Sequence, residues 1–341
     1  MNDSTELASG GSASDESAPE QAETPSPEPI HPQPATPLAE KKSPVSELSM
    51  RLVTAAILIP FVLYVIYLGG WLYLAVVATF GVLAQREFYG LIEDKGAEPL
   101  VMPGLGFGLA VMLIAYWGNE YHTMLLVTAS LLVFMIAQLG KPEITEALAS
   151  ISGTFFGVFY VAWLLSHAIV LRFFYKTALG RYGAQDLEQF GLVPDSGAFF
   201  MTYVLAVVAA CDAGAYFAGR AYGRRKLAPK ISPNKTVEGA LGGLLAALVV
   251  GVSCKLVYGV VAPELAAAFS WSLVLGFAPI LAAVGIVGDL VESLLKRDAK
   301  VKDTGALLPG MGGILDRIDA PLLAIPVMYY MLLAWVEFNL G

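Results

Sequence analysis

The feature that most constrains this chain is a series of long apolar runs that starts at Arg51 and continues almost to the C-terminus. A helix needs about 20 predominantly apolar residues to cross a bilayer. Nine segments approach that length: 51–69, 71–89, 100–118, 122–140, 147–171, 197–219, 237–260, 269–294 and 314–338. Lipid offers no water to backbone N–H and C=O groups, so spanning segments are helices or closed barrels. Continuous apolar runs of this length, without period-two alternation, select the helix. The expectation is an all-α, polytopic integral membrane bundle with about nine transmembrane helices. Composition agrees, because only 15% of residues are charged, against about 25% in soluble domains. Gly69 and Gly70 fit a tight turn between the first two spans. Pro60, Pro279, Pro321 and Pro326 fall inside spans, where neighbouring helices can satisfy the carbonyls they free.

The net charge of −8 belongs mostly to one end. Residues 1–48 hold nine carboxylates and two lysines and are rich in Pro, Ser and Ala. A segment with so little apolar surface cannot offset its ordering entropy, so it reads as a disordered acidic cytoplasmic tail. Residues 49–196 read as the N-terminal and middle helices, about five spans. Residues 197–341 read as a catalytic membrane region of about four spans. Cys211 and Cys254 both lie in apolar stretches and form neither a disulfide framework nor a zinc pattern. No basic surface for nucleic acid is expected.

Orientation follows from the excess of Lys and Arg in cytoplasmic loops. With a cytoplasmic N-terminus and nine crossings, only Arg172, Lys176, Arg181 and Lys255 of the 21 basic residues fall on the far side. The loop 172–196 is the weak point of this topology, being long and partly apolar.

Chemistry concentrates near the cytoplasmic ends of the later spans. Asp212 lies within an apolar run, where ionisable residues are costly and by default functional. Tyr216 and Gly219 share its helical face, and Ala213, Gly214, Ala215 and Ala218 leave room for close helix approach. Ser232, Asn234, Lys235 and Thr236 precede the seventh span, where a helix N-terminus suits phosphate. Asp289 and Glu292 are three residues apart, followed by Ser293 and Lys296 on the same face. Asp316 and Asp319 repeat the spacing at the ninth span, after the glycine-rich stretch 309–313. Hard carboxylate oxygens without Cys or His suit Mg²⁺, and Lys296, Arg297 and Lys302 suit phosphate oxygens. Together they point to metal-assisted phosphoryl or nucleotidyl transfer. A transporter would instead carry polar residues near the midplane with access to both faces. A lipid-binding scaffold would bind without releasing diphosphate.

The runs SLLKRDAKVKDTG (293–305) and PGMGGILDRID (309–319) resemble the diagnostic motif of phosphatidate cytidylyltransferases, the CDP-diacylglycerol synthases. The stretches 212–220 and 226–239 are similar to that family too. The resemblance implies a Mg²⁺-dependent reaction of CTP with phosphatidic acid, giving CDP-diacylglycerol and diphosphate. It implies a homodimer, with a polar cavity facing the cytoplasm of a bacterial-type inner membrane. Asp289 and Asp316 match the family's metal-binding aspartates; a second divalent ion or a monovalent cation is compatible. Asp289, Asp316, Lys296 and Asp319 are the expected catalytic residues. Ser232, Asn234, Lys235, Arg297, Lys302, Asp212 and Ser293 are the expected substrate contacts, and Asp319 and Glu292 are expected to orient ligands or water. Two positions depart from the pattern: Met311 stands where the family commonly has His, and Ala213 where it has a small hydroxyl residue.

Overall fold

The computed structural model describes residues 44–117, 120–142, 145–307 and 312–340. Of the expected tail, residues 1–43 lie outside this set, as does Met311. Residues 44–48 instead belong to the first helix, α1 (Pro44–Leu68).

All nine apolar segments are helical. After α1 come α2 (Gly70–Asp94), α3 (Val101–Trp117) and α4 (Glu120–Leu139). The fifth segment is α5 (Ala147–Phe156), a π-helical stretch (Gly157–Trp163) and α6 (Leu164–Arg172). Short α7 (Phe174–Tyr182) and α8 (Ala184–Gln189) lead to α9 (Ser196–Tyr222). A hairpin, β1 (Lys226–Ala228) and β2 (Ser232–Thr236), interrupts the otherwise helical order. Then come α10 (Val237–Val261), α11 (Pro263–Ala266), α12 (Trp271–Asp298) and α13 (Leu315–Leu340).

Among the described residues, six helices are long and apolar enough to cross a membrane, and Val53–Leu68 and Val101–Trp117 are apolar but shorter. The second segment falls short because the last third of α2 carries Arg86, Glu87, Glu93 and Asp94. The chain is thus an all-α membrane protein with a small β-hairpin.

Packing centres on α6, α9, α12 and α13, whose buried faces form one apolar core. Against them, α10 packs most closely on α9. A Cβ at Gly242 would sit 2.2 Å from the Ala218 Cβ, and one at Gly214 would sit 2.4 Å from the Ala246 Cβ. These contacts realise the close helix approach expected from the small residues of 213–218. The long 172–196 connection is tied down rather than loose. Arg172 is buried, donates from Nε to the Ile66 carbonyl at 2.6 Å, and pairs with Asp195 at 3.0 Å. It thereby satisfies carbonyls at the end of α1 that no helical N–H can reach.

Candidate active site

The β-hairpin delivers one wall of the site. Thr236 is the N-cap of α10, its Oγ1 accepting the Gly239 N–H at 3.0 Å. Glu238 accepts the N–H groups of Arg224 and Arg225 at 3.0 and 3.1 Å, fixing the base of the hairpin. With both ends pinned, Lys235 reaches across to α12, and its Nζ lies 2.5 Å from Asp289 Oδ2.

The opposite wall comes from α12 and α13. Gly288 lets them approach, since a Cβ there would lie 2.7 Å from the Asp319 carbonyl oxygen. Asp289, Glu292 and Asp319 consequently converge, each offering a carboxylate oxygen within 4.8 Å of the others. Ser293 Oγ donates to Asp289 Oδ1 at 3.3 Å. Lys296 bridges Glu292 and Asp316, with its Nζ 2.6 Å from the first and 2.9 Å from the second. Asp316 stands outside the group of three. Its carboxylate also accepts the Thr304 and Gly313 backbone N–H groups, at 3.1 and 2.8 Å.

These walls enclose a cavity of about 660 Å³. Of the residues singled out in the sequence, Asp212, Tyr216, Gly219, Asn234, Lys235, Thr236, Asp289, Glu292, Lys296, Asp316 and Asp319 line it; Ser232, Ser293, Arg297 and Lys302 do not. Arg297 turns to the hairpin and donates to the Ile231 carbonyl at 3.4 Å. The lining carries six carboxylates against four Lys and Arg, an excess of negative charge that favours a divalent cation. The fit is supported by Glu292, which is 1% exposed. Lys296 contacts its Oε2, but among the described residues its Oε1 has no hydrogen-bond donor. A buried carboxylate oxygen without a partner is costly, and a hard cation would satisfy it.

Two further residues come from the N-terminal half, which sequence reasoning left out of the site. Glu87 on α2 is buried and accepts hydrogen bonds from the segment between α12 and α13. Tyr160 sits on the π-helical stretch, 4% exposed, within electrostatic range of Asp319 and Glu292. Its hydroxyl has no hydrogen-bond partner among the described residues. The available signal for Glu87 was a carboxylate close behind an apolar run, but it was masked by neighbouring charges that read as a helix end entering water. Tyr160 had no signal among so many aromatic residues.

The sequence profile of the cytidylyltransferase family matches residues 49–335. A phosphatidate cytidylyltransferase of Synechocystis sp. is 34% identical over 292 residues, covering 83% of this chain and 95% of that protein. One from Staphylococcus haemolyticus is 30% identical over 295 residues, covering 84% and 99%. One from Bacillus subtilis is 43% identical over 148 residues, covering 43% and 50%. The chain belongs to the cytidylyltransferase family. It is therefore a nucleotidyltransferase, and the Synechocystis and Staphylococcus proteins it matches along most of its length are both phosphatidate cytidylyltransferases.

Proposed function

We propose that this protein is a phosphatidate cytidylyltransferase, converting CTP and phosphatidic acid to CDP-diacylglycerol and diphosphate in phospholipid biosynthesis. The observation that carries this reading at the site is the meeting of Asp289, Glu292 and Asp319 with Lys235 and Lys296 in one cavity. Mg²⁺ is assigned to Asp289 and Asp316, with Glu292 and Asp319 as further oxygen donors beside Asp289. When bound, it supplies charge neutralisation at the triphosphate and at the attacking oxygen. The phosphate of phosphatidic acid is already anionic near neutral pH, so no strong general base is required for its in-line attack on the α-phosphorus. Lys235 and Lys296, paired here with carboxylates, turn toward phosphate oxygens when a polyanion enters. Asp319 and Glu292 orient ligand or water, and Asp212 and Asn234 contact substrate from the α9 and hairpin walls. Ser232, Arg297 and Lys302 contribute from outside the cavity by supporting the hairpin and the approach of phosphate, and Ser293 orients Asp289.

The remaining architecture belongs to the same proposal. Nine helices cross the inner membrane from a cytoplasmic N-terminus. The stretch before α1 is a tail, α1 to residue 196 a supporting half and 197–341 the catalytic half. Two protomers associate, and the cavity faces the cytoplasm, where CTP is available. The test is diphosphate release by purified protein given CTP, phosphatidic acid and Mg²⁺, with each omitted in turn and the lipid product weighed by mass spectrometry. Release that needs all three and yields CDP-diacylglycerol is expected. Release without phosphatidic acid, or none from folded protein, would overturn the reading.

A further inference from the structure

We propose that Glu87, on α2, is a positioning residue that sets the start of α13 and the Asp316 carboxylate for catalysis. Its carboxylate fixes the backbone of a segment more than two hundred residues away in sequence. Oε1 accepts the Ile314 N–H at 3.0 Å, and Oε2 accepts the Leu315 N–H at 2.8 Å and the Thr304 hydroxyl at 3.3 Å. The first N–H groups of a helix have no intrahelical partner, and an acceptor with negative charge suits that end of the helix dipole. Caps normally come from the preceding residue. Here the cap comes from another helix, so it also fixes where α13 begins relative to α2.

The clamp is shared with the site. Thr304 donates its hydroxyl to Glu87 and its backbone N–H to Asp316. Asp316 then pairs with Lys296, which contacts Glu292. A hydrogen-bonded path therefore runs from Glu87 through Thr304, Asp316 and Lys296 to the carboxylate group. The glycines around it are needed for close approach. A Cβ at Gly305 would lie 2.5 Å from Glu87 Oε1, and one at Gly313 would lie 2.5 Å from Oε2. At the same end of the bundle, the ion pair of Lys95 with Asp298 joins the end of α2 to the end of α12. The N-terminal half is thus part of the catalytic machinery rather than a membrane anchor alone. The catalytic consequence rests on the cytidylyltransferase reading, while the clamp itself rests only on the hydrogen bonds.

The experiment compares wild type with Glu87→Gln and Thr304→Val in detergent, by two independent readouts. The first is amide hydrogen exchange of metal-free protein. Gln keeps the shape but replaces one accepting oxygen with a donor, so exchange at whichever of Ile314 and Leu315 loses its acceptor should quicken about 10-fold, the equivalent of one lost hydrogen bond. The second is steady-state kinetics. Partners that orient a metal-binding carboxylate are worth about 10–100-fold, so kcat should fall on the order of 10-fold with the KM for CTP unchanged. The Mg²⁺ concentration for half-activation should rise, which mere loss of folded protein would not produce. Thr304→Val cuts the path while sparing the Ile314 and Leu315 bonds, so it should lower kcat without the exchange change at those two amides. It serves as the primary variant should Glu87→Gln fail to fold. Unchanged exchange in Glu87→Gln would overturn the clamp. Faster exchange with unchanged kcat and Mg²⁺ requirement would overturn the positioning role. An inactive wild type would overturn the proposed reaction and leave the exchange result standing.

Discussion

Asp289 is the residue on which both walls of the site converge, through Lys235 from the hairpin and Ser293 from its own helix. Asp289→Asn keeps the volume but removes the charge that Lys235 balances. Turnover should fall below detection while membrane insertion and the Tm in detergent stay close to wild type; near-normal turnover would take Asp289 out of the metal site. Tyr160 presents the opposite case, a buried hydroxyl with no protein partner among the described residues. Removing it breaks no intramolecular hydrogen bond, so Tyr160→Phe should hold the Tm within about 1 °C. A marked drop in Tm would reveal a partner for the hydroxyl. The residue types in 289–319 were legible in sequence because carboxylates in apolar helices are rare and costly. Their partners were not. Asp316 matches a metal ligand by the family resemblance, yet it accepts two backbone N–H groups and pairs with Lys296.

At the scale of elements, the contact of α9 with α10 controls where Lys235 arrives, because β2 runs directly into α10. The neighbours of a Cβ at Gly242 are the Ala218 Cβ at 2.2 Å and the Gly214 carbonyl oxygen at 3.4 Å. Neither is the end of a flexible side chain, so the helices themselves must separate. Gly242→Val should cost about 2 kcal/mol of stability, measured by denaturant titration in detergent micelles, and should raise the KM for CTP as Lys235 is displaced. Wild-type stability would mean that α10 can slide without penalty. The small residues Ala213, Gly214, Ala215 and Ala218 of α9 announced this approach in the sequence. The π-helical stretch between α5 and α6 did not, since Gly157–Trp163 reads as ordinary apolar helix. That stretch carries Tyr160, which lies within electrostatic range of Asp319 and Glu292, and π-bulges recur at functional sites.

For the molecule as a whole, the charge bias of the loops predicts one orientation in the membrane, and labelling can check it. Lys230 on the hairpin and Glu264 on α11 are both exposed and flank α10 at opposite ends. In protein lacking its native cysteines, Lys230→Cys should react with an impermeant maleimide only from the cytoplasmic face, and Glu264→Cys only from the other. The reverse pattern would invert the topology and move the site away from its CTP. The sequence by itself determined the membrane class, the helical segments, the family and most of the residues lining the cavity. It could do so because hydropathy, span length and charge bias act locally along the chain, and because the motif 293–319 is continuous. Tertiary structure alone decided that Glu292 joins Asp289 and Asp319, that Asp316 is held by Lys296 and two amides, and that Glu87 and Tyr160 reach the catalytic end. Those relations depend on which helix faces which, a choice made by close approach at Gly288 and along the α9–α10 contact. Spacing within a single helix carries no record of that choice.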